Sequence, residues 1–257
     1  MDTEKNDELL TIEEGELLAE KELEEEIGPY FIGINKTINA ISNAVGLIPE
    51  MALKDVSISL KVVNSLLMKS INDLRTMLIL AKKGYSVQCA TVASSLYEST
   101  FMLAYIGNND ELAHKWNTHA NPKNSPFGSI KTVTTEALRK QFPIDFKAIA
   151  DKEYEKYTHL CMAKHGNPLN QKSHVYKYEN HTIVADSGPE TSEHSKRLTC
   201  YAISMSIGFA GYAIVSYVNE HVVANTTPEC IAEFEELKNY NLSLIDQYET
   251  KWNEQTI

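Results

Sequence analysis

Glu98 is the only formal charge between Tyr85 and Asn109, in the block SSLYESTFML. A carboxylate among apolar and small neighbours needs a cation, hydrogen bonds or a polar seam. Arg75, Arg197, Lys164 and His165 are its candidate partners. Residues 154–168, YEKYTHLCMAKHGNP, form the second concentration of chemistry-bearing side chains. There His165 closes a helical pattern, ahead of an irregular stretch holding His174 and His181. A carboxylate that orients an imidazole raises its pKa and readies it as a general base near neutral pH. Glu98 and His165 are therefore the candidate catalytic pair. Tyr97, Arg75, Trp116, Tyr157, Cys161, Lys164, Asn167 and Arg197 are the candidate binding residues. The competing reading is structural, because buried ion pairs that only join helices also perturb pKa values.

Other constellations carry less. Cys161 and His165 stand four apart on one helix face, but no oxyanion hole or third member accompanies them. His165, His174 and His181 match no zinc spacing, so no metal and no cofactor is assigned. Glu111 and His114 make a single Glu-x-x-His, whereas carboxylate-bridged di-iron bundles need two and further Glu residues. There is no P-loop, GxGxxG, HExxH or GxSxG.

The elements that would position these residues are helical throughout, and the expected class is all-α. The chain is organised around Leu198–Asn219, which carries no formal charge. Large residues there follow helical spacing, and small ones fill the gaps. A helix apolar or small on nearly every face must be covered on nearly every side, so residues 191–223 read as the central rod of a bundle. The stretch is long enough to span a membrane, but Ser, Thr, Tyr and Asn interrupt it repeatedly, and no membrane is expected.

Before the rod, Thr11 with Glu14 makes a capping box for a helix to about Ile27. Gly28-Pro29 is expected to reset the chain. Residues 31–48 then carry a narrow apolar seam, and residues 56–81 a long amphipathic helix with Gly84 as its stop. Ser86 is expected to cap the helix that Gly107 ends, and Asp110 to cap a short helix. Residues 120–134 read as loop, with a short helix near 135–141 and another from Asp145 to Lys164 or His165. VYKYENHTIVA is a candidate hairpin inside the least helical stretch, 168–190. After the rod, Thr226–Glu229 reads as a capping box for a last helix.

Twelve carboxylates and two lysines fall in residues 1–26 of a chain whose net charge is −11, so the body is nearly neutral. The expected division is an acidic N-terminal arm, residues 1–27, and one helical-bundle domain, residues 28–257. The arm is either a solvated segment or one that docks on a basic protein partner. With three arginines and no basic surplus, bulk charge makes no case for nucleic acid. The seam at 31–48, or the 231–252 helix, is expected to carry self-association into a homo-oligomer. The four cysteines, with no CxxC, read as reduced thiols, and no secretory signal is legible. A cytoplasmic location is the expectation.

Residues 94–116, SSLYESTFMLAYIGNNDELAHKW, and Tyr157-x-x-Leu160-Cys161-x-x-x-His165 resemble domain-of-unknown-function family 5677, uncharacterised all-helical prokaryotic proteins. The resemblance would extend over roughly residues 50–225. It departs from the family at Ser94, where Arg is usual, and at Cys161, where Ser is usual, so Glu98 must find a partner outside its own helix. The shape is also similar to HEPN domains, helical bundles that often act as RNases in toxin and phage-defence systems. Their Arg, four to six residues, then His is absent after Arg75, Arg139 and Arg197. The expected function is a binding or sensor component, and what these resemblances imply is a prokaryotic defence or stress setting for it. The alternative is a hydrolase or nuclease acting on a phosphodiester or nucleotide through Glu98 and His165.

Overall fold

Local hydrogen-bonding signals set most of the helix boundaries. The computed structural model describes residues 11–50, 53–121, 125–165, 176–179, 182–185 and 188–252. Helix α1 (Ile12–Gly46) starts on the expected capping box, with Thr11 Oγ1 accepting from the Glu14 N–H and the Glu14 carboxylate accepting from the Thr11 N–H. Gly28-Pro29 does not end it. Pro29 lacks an N–H and its ring crowds the preceding turn, so the strain appears at Ile27 (φ −128°, ψ 15°), where two helical segments join across a kink.

Helix α2 (Ile58–Lys82) is capped by Ser57, and Gly84 at φ +81° turns the chain into α3 (Ser86–Ile106). Gly107, at φ +52°, ends α3. Helices α4 (Asp110–Asn117), α5 (Ile130–Gln141) and α6 (Phe146–Lys164) follow. Strands β1 (Tyr176–Glu179) and β2 (Thr182–Ala185) pair antiparallel as the expected hairpin, Tyr176 opposite Ala185. Helix α7 (Glu193–Tyr217) continues through a π turn, Val218–Val222, and a 3-10 turn, Val223–Asn225. Helix α8 (Pro228–Trp252) closes the chain.

The fold is an all-α bundle with α7 at its centre. Helix α7 packs against α1, α2, α3 and α8, and α3 in turn packs against α2, α5 and α6. Among the described residues, Glu193–Asn225 is the one helix long and apolar enough to cross a membrane. Most of its apolar window is covered by other helices, as befits the core helix of a bundle. Gly33 brings α1 close, since a Cβ there would stand 2.7 Å from Ile207 Cδ1 and 3.0 Å from Leu244 Cδ1.

Several local expectations are corrected. Helix α5 starts at Ile130, not near 135, because Ser129 caps it by accepting from the Thr132 N–H. Asn109, not Asp110, caps α4, accepting from the N–H groups of Glu111 and Leu112. Asp110 instead accepts from the Ser59 N–H and ties α4 to the start of α2. The N-cap of α3 is Tyr85, with no side-chain cap bond, and Ser86 lies inside the helix. Helix α8 begins at Pro228, and Thr227, not Thr226, accepts from the Cys230 N–H.

Two larger expectations change as well. The seam of Phe31, Ile34, Ile38 and Ile41 is buried within its own chain, where α1 packs on α2, α7 and α8. It is not a free face for a second copy. The acidic arm, over its described part, lies along the bundle, with Ala19, Leu23 and Ile27 buried. Its carboxylates meet the body's lysines: Glu20 with Lys83 at 2.8 Å, Glu24 with Lys82 at 2.7 Å, and Glu22 and Glu26 with Lys196 at 2.8 Å each.

Candidate functional site

Helices α3 and α6 bring together one half of the residues singled out in the sequence. Tyr97 is fully buried and stacks on Tyr157, ring centroids 4.7 Å apart, and its hydroxyl meets that of Thr134 on α5 at 2.9 Å. Tyr157 donates to Glu98 Oε1 at 2.8 Å, and Lys164 donates to the same oxygen at 3.1 Å. Cys161 is buried one turn after Tyr157. Burial first, then the neighbouring Cys161 and Glu98, push the Tyr157 phenol far above its ordinary range, so it keeps its proton and acts as a donor.

Glu98 is not sealed in the core. Its side chain keeps 40% of its exposure, and that of Lys164 36%, at the rim between α3 and α6. A pair so exposed contributes at most about 1 kcal/mol. His165 is the exposed C-cap of α6, and its backbone N–H bonds to the Cys161 carbonyl. Among the described residues, no hydrogen bond or ion pair joins His165 to Glu98. The carboxylate has instead recruited the phenol about two turns earlier on α6 and the ammonium of Lys164, the residue just before His165. A general base oriented by Glu98 is therefore not assembled in this structure.

The other candidates lie elsewhere. Arg75 is exposed on α2, and Trp116 is half-buried on α4 beyond the end of α3. Arg197 stands on α7, where its Nε donates to the Tyr248 hydroxyl of α8 at 3.3 Å. Asn167, His174 and His181 lie outside the described residues. Among the described residues, no group of three His, Cys, Asp or Glu is placed to hold a metal ion.

An aromatic cluster runs inward from Tyr157. Tyr97 contacts Phe101 at 4.5 Å and Phe209 edge-on at 5.1 Å, and Phe101 meets Tyr212 at 5.3 Å. Beside it an open-sided pocket of about 300 Å³ lies between α3, α5, α6, α7 and α8. Leu138, Ile149 and Met205 complete its apolar wall with those rings. Ser204, Tyr212 and Asn241 are lining residues too, but their Oγ, Oη and Oδ1 atoms are sealed from the pocket and from water alike. Burial raises the Tyr212 phenol above its usual value. The nearby Ser216 hydroxyl, which takes a bond from Gln141, counters this in part but stands outside hydrogen-bonding geometry with Tyr212. Glu153 and Lys156 pair with each other across 2.6 Å on the α6 wall.

Residues 60–179 match the model of a family of unknown function (DUF5677). The matched stretch runs from α2 through β1 and holds both motifs that carry the resemblance, residues 94–116 and 157–165. It is shorter than the extent expected from those motifs, and stops before α7 and α8. It covers α3, α5 and α6 of the cavity wall, while Ser204, Tyr212 and Asn241 lie outside it. No curated protein and no solved structure matches the chain.

The cavity escaped the sequence reading because its walls come from five helices. The one sequence signal was Gly208, a glycine at the centre of the rod. A Cβ there would meet only Asn241 Nδ2, at 3.5 Å. Space is left on that side of α7, whereas Gly33 of α1 is crowded by Ile207 and Leu244.

Proposed function

We propose that the protein is a binding component, a helical bundle that holds a small molecule in a pocket between its helices and serves as a sensor, and not a hydrolase. The observation that carries this reading is the 300 Å³ pocket walled mainly by Phe101, Leu138, Ile149, Met205, Phe209 and Tyr212. Ligand sites are commonly mostly apolar concavities with a few convergent polar groups, and this volume is at the small end of their range. Against hydrolysis stands the Glu98 carboxylate, held by Tyr157 and Lys164 with no imidazole in reach. The defence or stress setting rests on the HEPN resemblance alone.

The reading is tested with the neutral fluorophore N-phenyl-1-naphthylamine. One equivalent should bind the folded protein with enhanced emission. Gly208→Leu should abolish that binding while leaving the melting temperature unchanged or higher, since it replaces a mid-helix glycine and places its side chain where the cavity is open. Binding that survives Gly208→Leu would place the dye elsewhere and overturn the proposal.

Self-association belongs to the same proposal, through the outer face of α8, where Ile231 and Leu242 are exposed. Light scattering at micromolar concentration should give a dimer or larger species that Ile231→Glu with Leu242→Glu returns to monomer. A monomeric wild-type protein would remove it.

A further inference from the structure

We infer that a second copy of this chain closes the open side of the pocket, laying the uncovered face of its α7 on the same face of the first across a two-fold axis. This rests on the self-association proposed above, and names the face that carries it and what that contact does to the pocket.

The face is read from α7 itself. A helix apolar or small on nearly every side should be covered on nearly every side. Helix α7 is covered by α1, α2, α3 and α8, yet one stripe is left open. Gly208 and Val215 are exposed there, and Met205, Gly211 and Tyr212 are only half-buried. Val215, a large apolar side chain, is 45% exposed. The stripe from Met205 to Val215 is about 15 Å long by the helical rise per residue. A mid-helix glycine costs up to about 1 kcal/mol relative to alanine, so its use calls for a reason. Gly33 has its reason within the chain, where a Cβ would strike Ile207 and Leu244. Gly211 has none there, since a Cβ on it would meet nothing within 4 Å. A bare backbone with open space before it admits another helix.

The flanks of the stripe are apolar too. Gln141 Nε2 donates to Ser216 Oγ at 3.0 Å, which sets the turn between α5 and α6 beside α7. That turn carries Phe142 on the pocket wall and, two residues on, Ile144, which is 92% exposed. Across the pocket stand Asn241 and Ile245 of α8, and Leu242 beside them is exposed. Exposed apolar side chains gathered about a concavity mark a protein interface more often than a free surface.

Charge decides the occupant. Near a two-fold axis each residue faces its own counterpart, so a charge there would meet its like. Residues 198–219 carry no formal charge, and Glu153 and Lys156 on the α6 wall pair with each other. A stripe without charge can be laid upon itself, and it offers nothing to a partner recognised by an acidic or basic surface. With Gly211 and Val215 at the crossing, the second copy lies over the pocket, whose lining includes Gly208 one turn earlier. A molecule in the pocket is then walled by both copies. Binding and association strengthen each other by the same factor.

The test uses Gly211→Leu and Val215→Glu, neither of which lines the pocket. Gly211→Leu adds bulk that nothing in its own chain meets, so the monomer should keep its helix content by circular dichroism. Light scattering at one micromolar-range concentration should give a dimer for the wild type and a monomer for each variant. Each variant should bind N-phenyl-1-naphthylamine at least about fivefold more weakly, the low end of coupling between linked sites. Saturating dye should tighten the wild-type dimer by the same factor. A dimer that survives both variants but falls to Ile231→Glu with Leu242→Glu would confine the contact to α8 and overturn the inference, leaving self-association standing. Monomeric variants with unchanged dye affinity would overturn closure of the pocket. A monomeric wild type that binds the dye would overturn self-association together with this inference, and leave the small-molecule reading intact.

Discussion

Glu22→Gln with Glu26→Gln is expected to lower stability by about 3 kcal/mol, the usual loss when a buried charge is stripped of its partners. Lys196 is the most deeply buried lysine of the ion pairs, at 5% side-chain exposure, and its ammonium is 2.8 Å from both carboxylates. Only Glu193, at 3.7 Å, would remain. For a chain of this size the melting temperature should fall by roughly 5–10 °C. The control is Glu13→Gln with Glu25→Gln, which removes the same charge from exposed positions of α1 and should cost under about 0.5 kcal/mol. Equal losses in the two variants would show that the arm acts through net charge and not through the Lys196 contact.

The same contact sets a pH window. Burial works against the Lys196 ammonium, but the hydrogen bonds to Glu22 and Glu26 together outweigh it and lift its pKa above the ordinary 10.5. The hydrogen bond from Lys196 lowers Glu22 below its ordinary 4.5 against an opposing effect of burial. A raised lysine stabilises below its unfolded pKa and loses that contribution as pH climbs through the folded one. A lowered carboxylate stabilises above its unfolded pKa and loses it as pH falls. The difference between wild type and the double variant should therefore be largest between about pH 4.5 and 10.5, and should narrow outside it.

Gly107→Ala is expected to cost about 3 kcal/mol for two separate reasons. At φ +52° and ψ −132° the backbone sits where only glycine is comfortable, which accounts for about 1–3 kcal/mol. The added Cβ would also collide with Glu220 Oε2, the atom that accepts from the Asn108 N–H at 2.7 Å. Moving Glu220 forfeits that charge-assisted bond and disturbs the π turn, where His221 also meets the Gly107 carbonyl at 3.2 Å. Chemical denaturation measures the loss. Glu220→Ala in the same chain removes the collision but not the strain, so the double variant should lose less than the sum of the singles. Additive losses would mean that Gly107 and Glu220 do not act on each other.

What was legible in the sequence is what short-range bonding decides. The Thr11 capping box, the stops at Gly84 and Gly107 and the 176–185 hairpin all depend on partners a few residues away. The uncharged run at 198–219 had to be a central helix, because no other place in a bundle covers it on every side. Local signals also failed where two neighbours competed for one role. Asn109 and Asp110 can both cap a helix, and the choice fell to Asn109 because α2 drew the Asp110 carboxylate to the Ser59 N–H. Only the tertiary structure decided the rest. Glu98 had four candidate partners by type, and the approach of α6 to α3 selected Lys164 and added Tyr157, while leaving His165 at an exposed helix end. Ionic attraction does not depend on position in the chain, so the arm's carboxylates could as well have met a partner's cations as Lys82, Lys83 and Lys196 of their own body. The cavity lies furthest from the sequence. Phe101, Glu153, Ser204 and Asn241 share no local pattern, and whether the space between their helices is filled or open is a matter of packing, which only the folded chain determines.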